Sequence, residues 1–250
     1  MLPQQTRLEV VANNMANAST AGFKRSDVFE RQVIDSADHF ANMPVSVEQE
    51  DPPMGEYTDF SNGSFTFTDN KLDLAIDNQN SFFLVEDENG EQYLTRAGNF
   101  TVTEEGFITT SDGKKLMGEG GAINIATDEF LKSFSLSDTK ALNLKITQQG
   151  DVSLNDVRID GIEIIRVDNT SSLVNASSSC FMAGPDTEME TVGPDDVSIR
   201  QGWLENSNVN IIDEMVQMIE LQRMFELGSK VISTNDSTLD ESFRLGRVSI

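Results

Sequence analysis

Ile211-Ile212-Asp213-Glu214-Met215-Val216-Gln217-Met218-Ile219-Glu220-Leu221-Gln222-Arg223-Met224-Phe225 opens the last part of the chain and decides how the rest is read. Apolar residues recur from here in alternating four- and three-residue steps: Ile211, Met215, Met218, Phe225, Ile232, Leu239 and Phe243, interrupted at Gln222, Ser229 and Asp236. That spacing predicts a long helix with a coiled-coil seam, because 3.5 residues per repeat keeps one face against a partner. A second stripe runs beside the first through Ile212, Val216, Ile219, Leu221, Met224, Leu227 and Val231. A helix apolar over so much of its circumference is expected to be surrounded by other helices. Asn208 or Asn210 can cap its start, with Asp213 and Glu214 in the first turn. Gly228 and Ser233-Thr234-Asn235-Asp236 weaken it locally, the glycine by about 1 kcal/mol. The isolated chain is therefore expected to leave this helix partly unfolded.

The opposite end offers a complementary face. Residues 4–17 place Leu8, Val11, Ala12 and Met15 on one side of a helix that Ser19-Thr20-Ala21-Gly22 terminates. Asn13, Asn14 and Asn17 crowd its last turn. They read either as amide caps on a frayed end or as an interhelical hydrogen-bond ladder. Val28, Phe29 and Val33 suit a short amphipathic continuation to residue 34. Residues 35–70, with Pro44, Pro52, Pro53, Gly55 and Gly63, read as an extended connector, apart from the alternating Ser64-Phe65-Thr66-Phe67-Thr68.

Between the helical ends the pattern is β. Leu72, Leu74 and Ile76 alternate, and Phe82-Phe83-Leu84-Val85 reads as a buried strand. Asn89-Gly90 is expected to centre a hairpin turn, with further turns at Glu105-Gly106 and Asp112-Gly113. Strands continue through Leu142–Ile146, Val152–Leu154 and Gly161–Val167, and residues 169–200 are looser. The expected architecture is a mainly β central domain, antiparallel and hairpin-rich, flanked by N- and C-terminal helices that pair as a coiled coil. The divisions fall at 1–34, 35–70, 71–200 and 201–250. The middle, roughly 72–198, is expected to form a β core independent of the ends.

Composition narrows the function. Forty-two acids against 18 bases give a formal charge of −24, which repels phosphate backbones and anionic lipid, so neither nucleic acid nor a membrane surface is expected as partner. No apolar run approaches the length of a membrane span. One cysteine, Cys180, and one histidine, His39, cannot build a Cys/His metal site, and no cofactor is expected. The start, Met-Leu-Pro-Gln-Gln-Thr-Arg, has no apolar signal core. P-loop, Gly-x-Gly-x-x-Gly, Gly-x-Ser-x-Gly and His-Glu-x-x-His patterns are missing, and Glu86-Asp87-Glu88-Asn89-Gly90 lacks the later ligands of a calcium loop. An enzyme is not expected.

Leu8-Glu9-Val10-Val11-Ala12-Asn13-Asn14-Met15-Ala16-Asn17, with Gly22-Phe23-Lys24, resembles the N-terminal signature of bacterial flagellar rod and hook proteins. Leu72–Ile76 with Phe82-Phe83, and Tyr93–Phe100 through to Gly118, are similar to the β domain of that family. Gln201-Gly202-Trp203-Leu204-Glu205-Asn206-Ser207-Asn208-Val209-Asn210, followed by Glu214-Met215-Val216 and Ile219–Arg223, resembles its C-terminal signature. Within the family the rod proteins of the FlgF and FlgG type fit best. The connector length and Gly118–Ile123 resemble the proximal-rod member more than the distal one. Two departures stand out: the family pattern has about ten further residues before the position of Leu2, so Met1 reads as an internal start or a trimmed end. Asn78 and Asn80-Ser81 stand where glycines are expected, and asparagine tolerates the left-handed region.

The resemblance implies a structural subunit of the basal-body rod, polymerising with itself and other rod and hook axial proteins to carry torque from motor to hook. It implies export through the flagellar type III apparatus without a cleaved signal, and in a diderm cell a periplasmic rod. The residues expected at the assembly interface are Leu8, Val11, Asn13, Asn14, Met15, Asn17, Phe23, Ile211, Ile212, Met215, Val216, Met218, Ile219, Phe225, Ile232 and Leu239. Two rival readings are a secreted β-rich binding or adhesion module with a dimerising terminal coiled coil, and an acidic calcium-dependent hydrolase. The asparagine-rich helix end joined to Gly22-Phe23-Lys24 separates the rod reading from a mere zipper.

Overall fold

A computed structural model describes residues 2–30, 54–126, 144–177, 179–184, 187–193 and 196–247. His39, Val33, the connector's three prolines and the start of the expected strand at Leu142 lie outside them. The fold is mainly β with a helix at each end, as expected: α1 spans Leu2–Ala16 and α2 spans Ile211–Arg247. The chain forms two compact units, one drawing on 1–16, 26–58 and 210–250, the other on 17–25 and 59–209.

The second unit holds the β architecture. Its centre is the strand Ser81–Glu86, which pairs antiparallel with Gln92–Thr95, Lys115–Gly118 and Ile164–Val167. Gln92–Thr95 extends the sheet to Cys180–Ala183 and then Leu173–Ser177. The unbroken run Phe82-Phe83-Leu84-Val85 is explained by burial on both faces. Phe83 and Val85 enter a core with Leu74, Phe100, Ile108 and Leu116, while Phe82 and Leu84 enter a second cluster with Leu94, Ile165 and Phe181. A strand covered on both sides needs apolar side chains at every position, not every second one.

Four turns in this unit share one chemistry: Asp87-Glu88-Asn89-Gly90, Thr103-Glu104-Glu105-Gly106, Thr110-Ser111-Asp112-Gly113 and Thr147-Gln148-Gln149-Gly150. In each, the glycine is the left-handed residue, with φ between 82° and 93°. Its N–H returns to the carbonyl three residues back. The leading Asp or Thr side-chain oxygen accepts from the N–H four residues on, at 2.9–3.2 Å. The Asn89-Gly90 hairpin therefore forms, but not with Asn-Gly as a primed pair, which needs positive φ at both residues. That geometry occurs instead at Asn155-Asp156, with φ of 51° and 64°, joining the paired Leu154 and Val157. Asn80 adopts φ 57°, so asparagine does replace the expected glycine there.

Two expectations are corrected. Ser26–Glu30 is a strand paired antiparallel with Met54–Thr58, not a helical continuation. Nor is the β core confined to 72–198. Ile199–Gln201 pairs with Leu74–Ile76, and Trp203–Glu205 pairs with Phe65–Phe67, so the segment entering α2 is stitched across the start of the domain. The alternating Phe65-Thr66-Phe67 is that strand.

Candidate assembly site

In the helical unit, Asn210 caps α2: its side-chain oxygen accepts from Ile212 N–H at 3.1 Å and its carbonyl from Glu214 N–H at 3.1 Å. Asn208, the other candidate cap, is engaged in the β unit, taking the Arg25 N–H at 2.7 Å and donating to the Asp59 carbonyl at 2.8 Å. α1 and α2 lie antiparallel: Asn14 meets Glu214, while Gln4 and Leu8 line a cleft of about 230 Å³ with Leu221, Gln222, Phe225 and Glu226.

Asn14 is fully buried and treats Ser26 as one peptide treats another. Its Nδ2 donates to the Ser26 carbonyl at 2.7 Å, and the Ser26 N–H donates to its Oδ1 at 3.0 Å. Nδ2 also lies 3.4 Å from Oε2 of the buried Glu214. One amide thus ties α1 to the strand after it and to the first turn of α2. Asn14 alone of the three asparagines is shown linking the helices, and it does so inside the chain. Asn13 is exposed and Asn17 half-buried, the latter receiving the Thr20 hydroxyl at 3.3 Å.

The other expected interface residues divide sharply. Val11 and Phe23 are buried within the chain, and Leu8, Met15 and Met218 are half-buried. Ile211, Ile212, Met215, Val216, Ile219 and Phe225 are exposed, Ile212 by 71%. Ile232 and Leu239 are on α2, but their side chains lie outside the described residues. Among the described residues, the positions of α2 turned inward are Glu214, Gln217, Met218, Leu221 and Gly228. This face is a 4-3 series displaced by one residue from most of the expected seam. Apolar side chains therefore flank the packed face on both sides, with Leu227 and Val231 exposed by 65% and 60%.

The β unit contains a site that pattern reading missed. Lys24, Arg96 and Glu205 are each almost completely buried, with side-chain exposures of 1–2%. Lys24 Nζ donates to Glu205 Oε1 and to the Ser61 carbonyl, both at 2.7 Å, and Gly63 N–H reaches Oε1 at 3.0 Å. Arg96 Nε stands 3.0 Å from Oε2, as an ion pair off the hydrogen-bond axis. Its Nη1 donates to the carbonyls of Asn78 and Ser81 at 2.8 and 2.6 Å, and its Nη2 to Asn62 Oδ1 at 2.8 Å. Burial pushes the Lys24 ammonium and the Arg96 guanidinium below their ordinary ranges, and Glu205 opposes both shifts. Glycines allow the approach. A Cβ on Gly22, at φ 68°, would fall 2.2 Å from Ala97 N, and one on Gly63 would fall 1.9 Å from the Asn206 carbonyl oxygen. The three residues lie in three separate signature segments, and neither their spacing nor the apolar pattern brings them together.

These three segments are also where known proteins match. Residues 2–24 fit the family described as flagella basal body rod protein, and 75–154 the flagellar hook protein FlgE/F/G D1 domain. Residues 200–245 fit the flagellar basal body rod FlgEFG protein C-terminal family. A flagellar basal-body rod protein FlgG of Agrobacterium fabrum (strain C58) is 31% identical over 93% of this chain and 91% of its own length. This chain belongs to the flagellar basal-body rod protein family. A rod protein FlgF of Caulobacter vibrioides is 32% identical over 96% of the chain and 92% of the relative, and FlgG of Bacillus subtilis (strain 168) 31% over 97% and 94%. Identities this close do not separate the FlgF-type from the FlgG-type rod proteins. The family signatures thus converge on the buried cluster: Lys24 comes from the first match, Arg96 from the second and Glu205 from the third.

Proposed function

We propose that this protein is a structural subunit of the flagellar basal-body rod that polymerises through its terminal helices and transmits torque along the axis. The observation that carries the mechanism is the exposed apolar surface of α2. Ile212, Met215, Val216, Ile219, Met224, Leu227 and Val231 are each at least 45% exposed on one helix of a chain carrying −24 charges. So many exposed apolar side chains gathered on one helix mark a partner interface. Pairing of α1 and α2 as a coiled coil is part of the proposal, supported by their antiparallel contact and the 4-3 series turned inward. At 37 residues α2 is about 55 Å long, more than twice α1, so much of it has no α1 residue beside it. Neighbouring subunits, of this or another axial protein, would cover that length in contacts that repeat without closing.

Membership of the family supports a structural rather than catalytic role. Export through the flagellar type III apparatus and, in a diderm cell, a periplasmic position belong to the same proposal. The test is a pair of truncations. Met215→Ala and Phe225→Ala remove side chains that are 49% and 42% exposed in the single chain, so melting of the β unit should stay nearly unchanged. Inside the polymer the same side chains become core, where truncation costs about 2–5 kcal/mol. Rod incorporation and motility should fail while secretion, assayed separately, continues. Variants that are exported normally and still build rods would overturn the proposal.

A further inference from the structure

The buried cluster of the β unit holds two cations and one anion, and the anion arrives last along the chain. Glu205 lies 181 residues after Lys24, on the final strand before α2. Among the described residues the other acids that bear on the cluster act more weakly, Asp59 on Lys24 and Asp77 on Arg96. Asp77 is further engaged by Arg200 at 2.6 Å. Lys24 and Arg96 themselves repel, since each is drawn into the same desolvated volume. A unit closed around Lys24 and Arg96 without Glu205 would bury two uncompensated positive charges, among the most destabilising arrangements an interior can hold. Lacking Lys24, by contrast, it would retain a matched Arg96–Glu205 pair.

We propose that Glu205 is a completion switch for the β unit: its docking neutralises Lys24 and Arg96 and thereby permits the strands around Ser81–Glu86 to close. Three physical links give the switch its reach. Glu205 accepts the Gly22 N–H through its carbonyl at 2.8 Å and the Gly63 N–H through Oε1 at 3.0 Å. Arg96, which it holds, ties the Asn78 and Ser81 carbonyls at the head of the central strand. Next to Arg96 and Ala97 on the same segment, Gly98 bonds Leu74 N–H at 3.0 Å, and Leu74 pairs with Gln201. One late residue, through its carboxylate and its carbonyl together, therefore connects residues 22, 63, 74 and 81 to the end of the domain. A chain passing N-terminus first through any narrow path would emerge without a closed β unit until residue 205 was out. This property rests on the fold of the β unit alone and stands whether or not the export route proposed above is correct.

Native-state hydrogen exchange on the full chain tests it with Glu205→Gln and Lys24→Met. Glu205→Gln should accelerate exchange by about a hundredfold or more, and by the same factor at Gly22, Gly63, Leu74 and Val85, because the unit opens as one. Lys24→Met should change these amides by less than about tenfold, and the double variant should recover part of the Glu205→Gln loss. Failure of Glu205→Gln to fold while Lys24→Met folds would support the switch equally well. Acceleration confined to Gly22 and Gly63, or Lys24→Met as damaging as Glu205→Gln, would overturn it.

Discussion

Gly98→Ala is expected to unfold the β unit. The residue has no unusual φ, so its requirement for glycine is one of space. An added Cβ would stand 1.6 Å from the carbonyl oxygen of Leu74 and 2.7 Å from its carbonyl carbon. Both obstacles are backbone, fixed by the Leu74 N–H to Gly98 carbonyl bond at 3.0 Å and by pairing of Leu74 with Gln201. Relief would have to separate the chain around Arg96 from the strand Leu74–Ile76, at a cost of about 4 kcal/mol or more. Gly90→Ala is the internal control. That residue sits at φ 82° with nothing within 4 Å of an added Cβ, so its cost is only about 1–2 kcal/mol of left-handed strain. Thermal melting of the two variants followed through Trp203, the single tryptophan, should show a large loss for the first and a small one for the second.

Asn14→Ala should be the most damaging single change in the helical unit. It leaves the buried N–H and carbonyl of Ser26 without their partner and removes a donor from Glu214. Each abandoned buried group costs about 1–3 kcal/mol, so a loss of about 2–5 kcal/mol is expected. Asn14→Asp should be no better, because it keeps the acceptor for Ser26 N–H, loses the donor and sets a carboxylate beside buried Glu214. The defect should appear in the isolated chain, as faster amide exchange at Ser26 and through the first turns of α2, because Ser26 and Glu214 belong to the same chain as Asn14. The β unit should keep its protection. If α1 and α2 retain full protection in Asn14→Ala, the amide is not what holds them.

Much of this was legible beforehand because burial leaves periodicity. The 4-3 spacing and the Asn210 cap gave α2, and the solid run Phe82–Val85 gave the doubly covered strand. Ser26-Asp27-Val28-Phe29-Glu30 misled because Val28 and Phe29 suit a helix as well as a strand, and its partner Met54-Gly55-Glu56-Tyr57-Thr58 has little alternation. The partner is identified only by contact: Gly55 leaves room for the Phe29 ring, which lies 6.3 Å from that of Tyr57. Asn89-Gly90 misled because the dipeptide also serves the turn in which the glycine alone is left-handed. The Lys24–Arg96–Glu205 cluster was invisible for a deeper reason. Pattern reading assigns charges to the surface, and only three-dimensional closure shows that three such residues neutralise one another inside. The displacement of the inward face of α2 has a related cause: polar Glu214 and Gln217 occupy it, while the apolar stripes beside it point outward.

The central claim is that the apolar flanks of α2 are subunit contacts, and cysteine accessibility tests it most directly. Val216→Cys and Leu227→Cys place thiols at positions 51% and 65% exposed in the single chain, against a native Cys180 that is 1% exposed. Both thiols should react readily with a maleimide in the free chain and at least about tenfold more slowly in isolated basal bodies, as burial in an assembly requires. Equal labelling of free chain and assembled rod would show that these flanks stay in water, and assembly through the exposed faces of α2 would be ruled out.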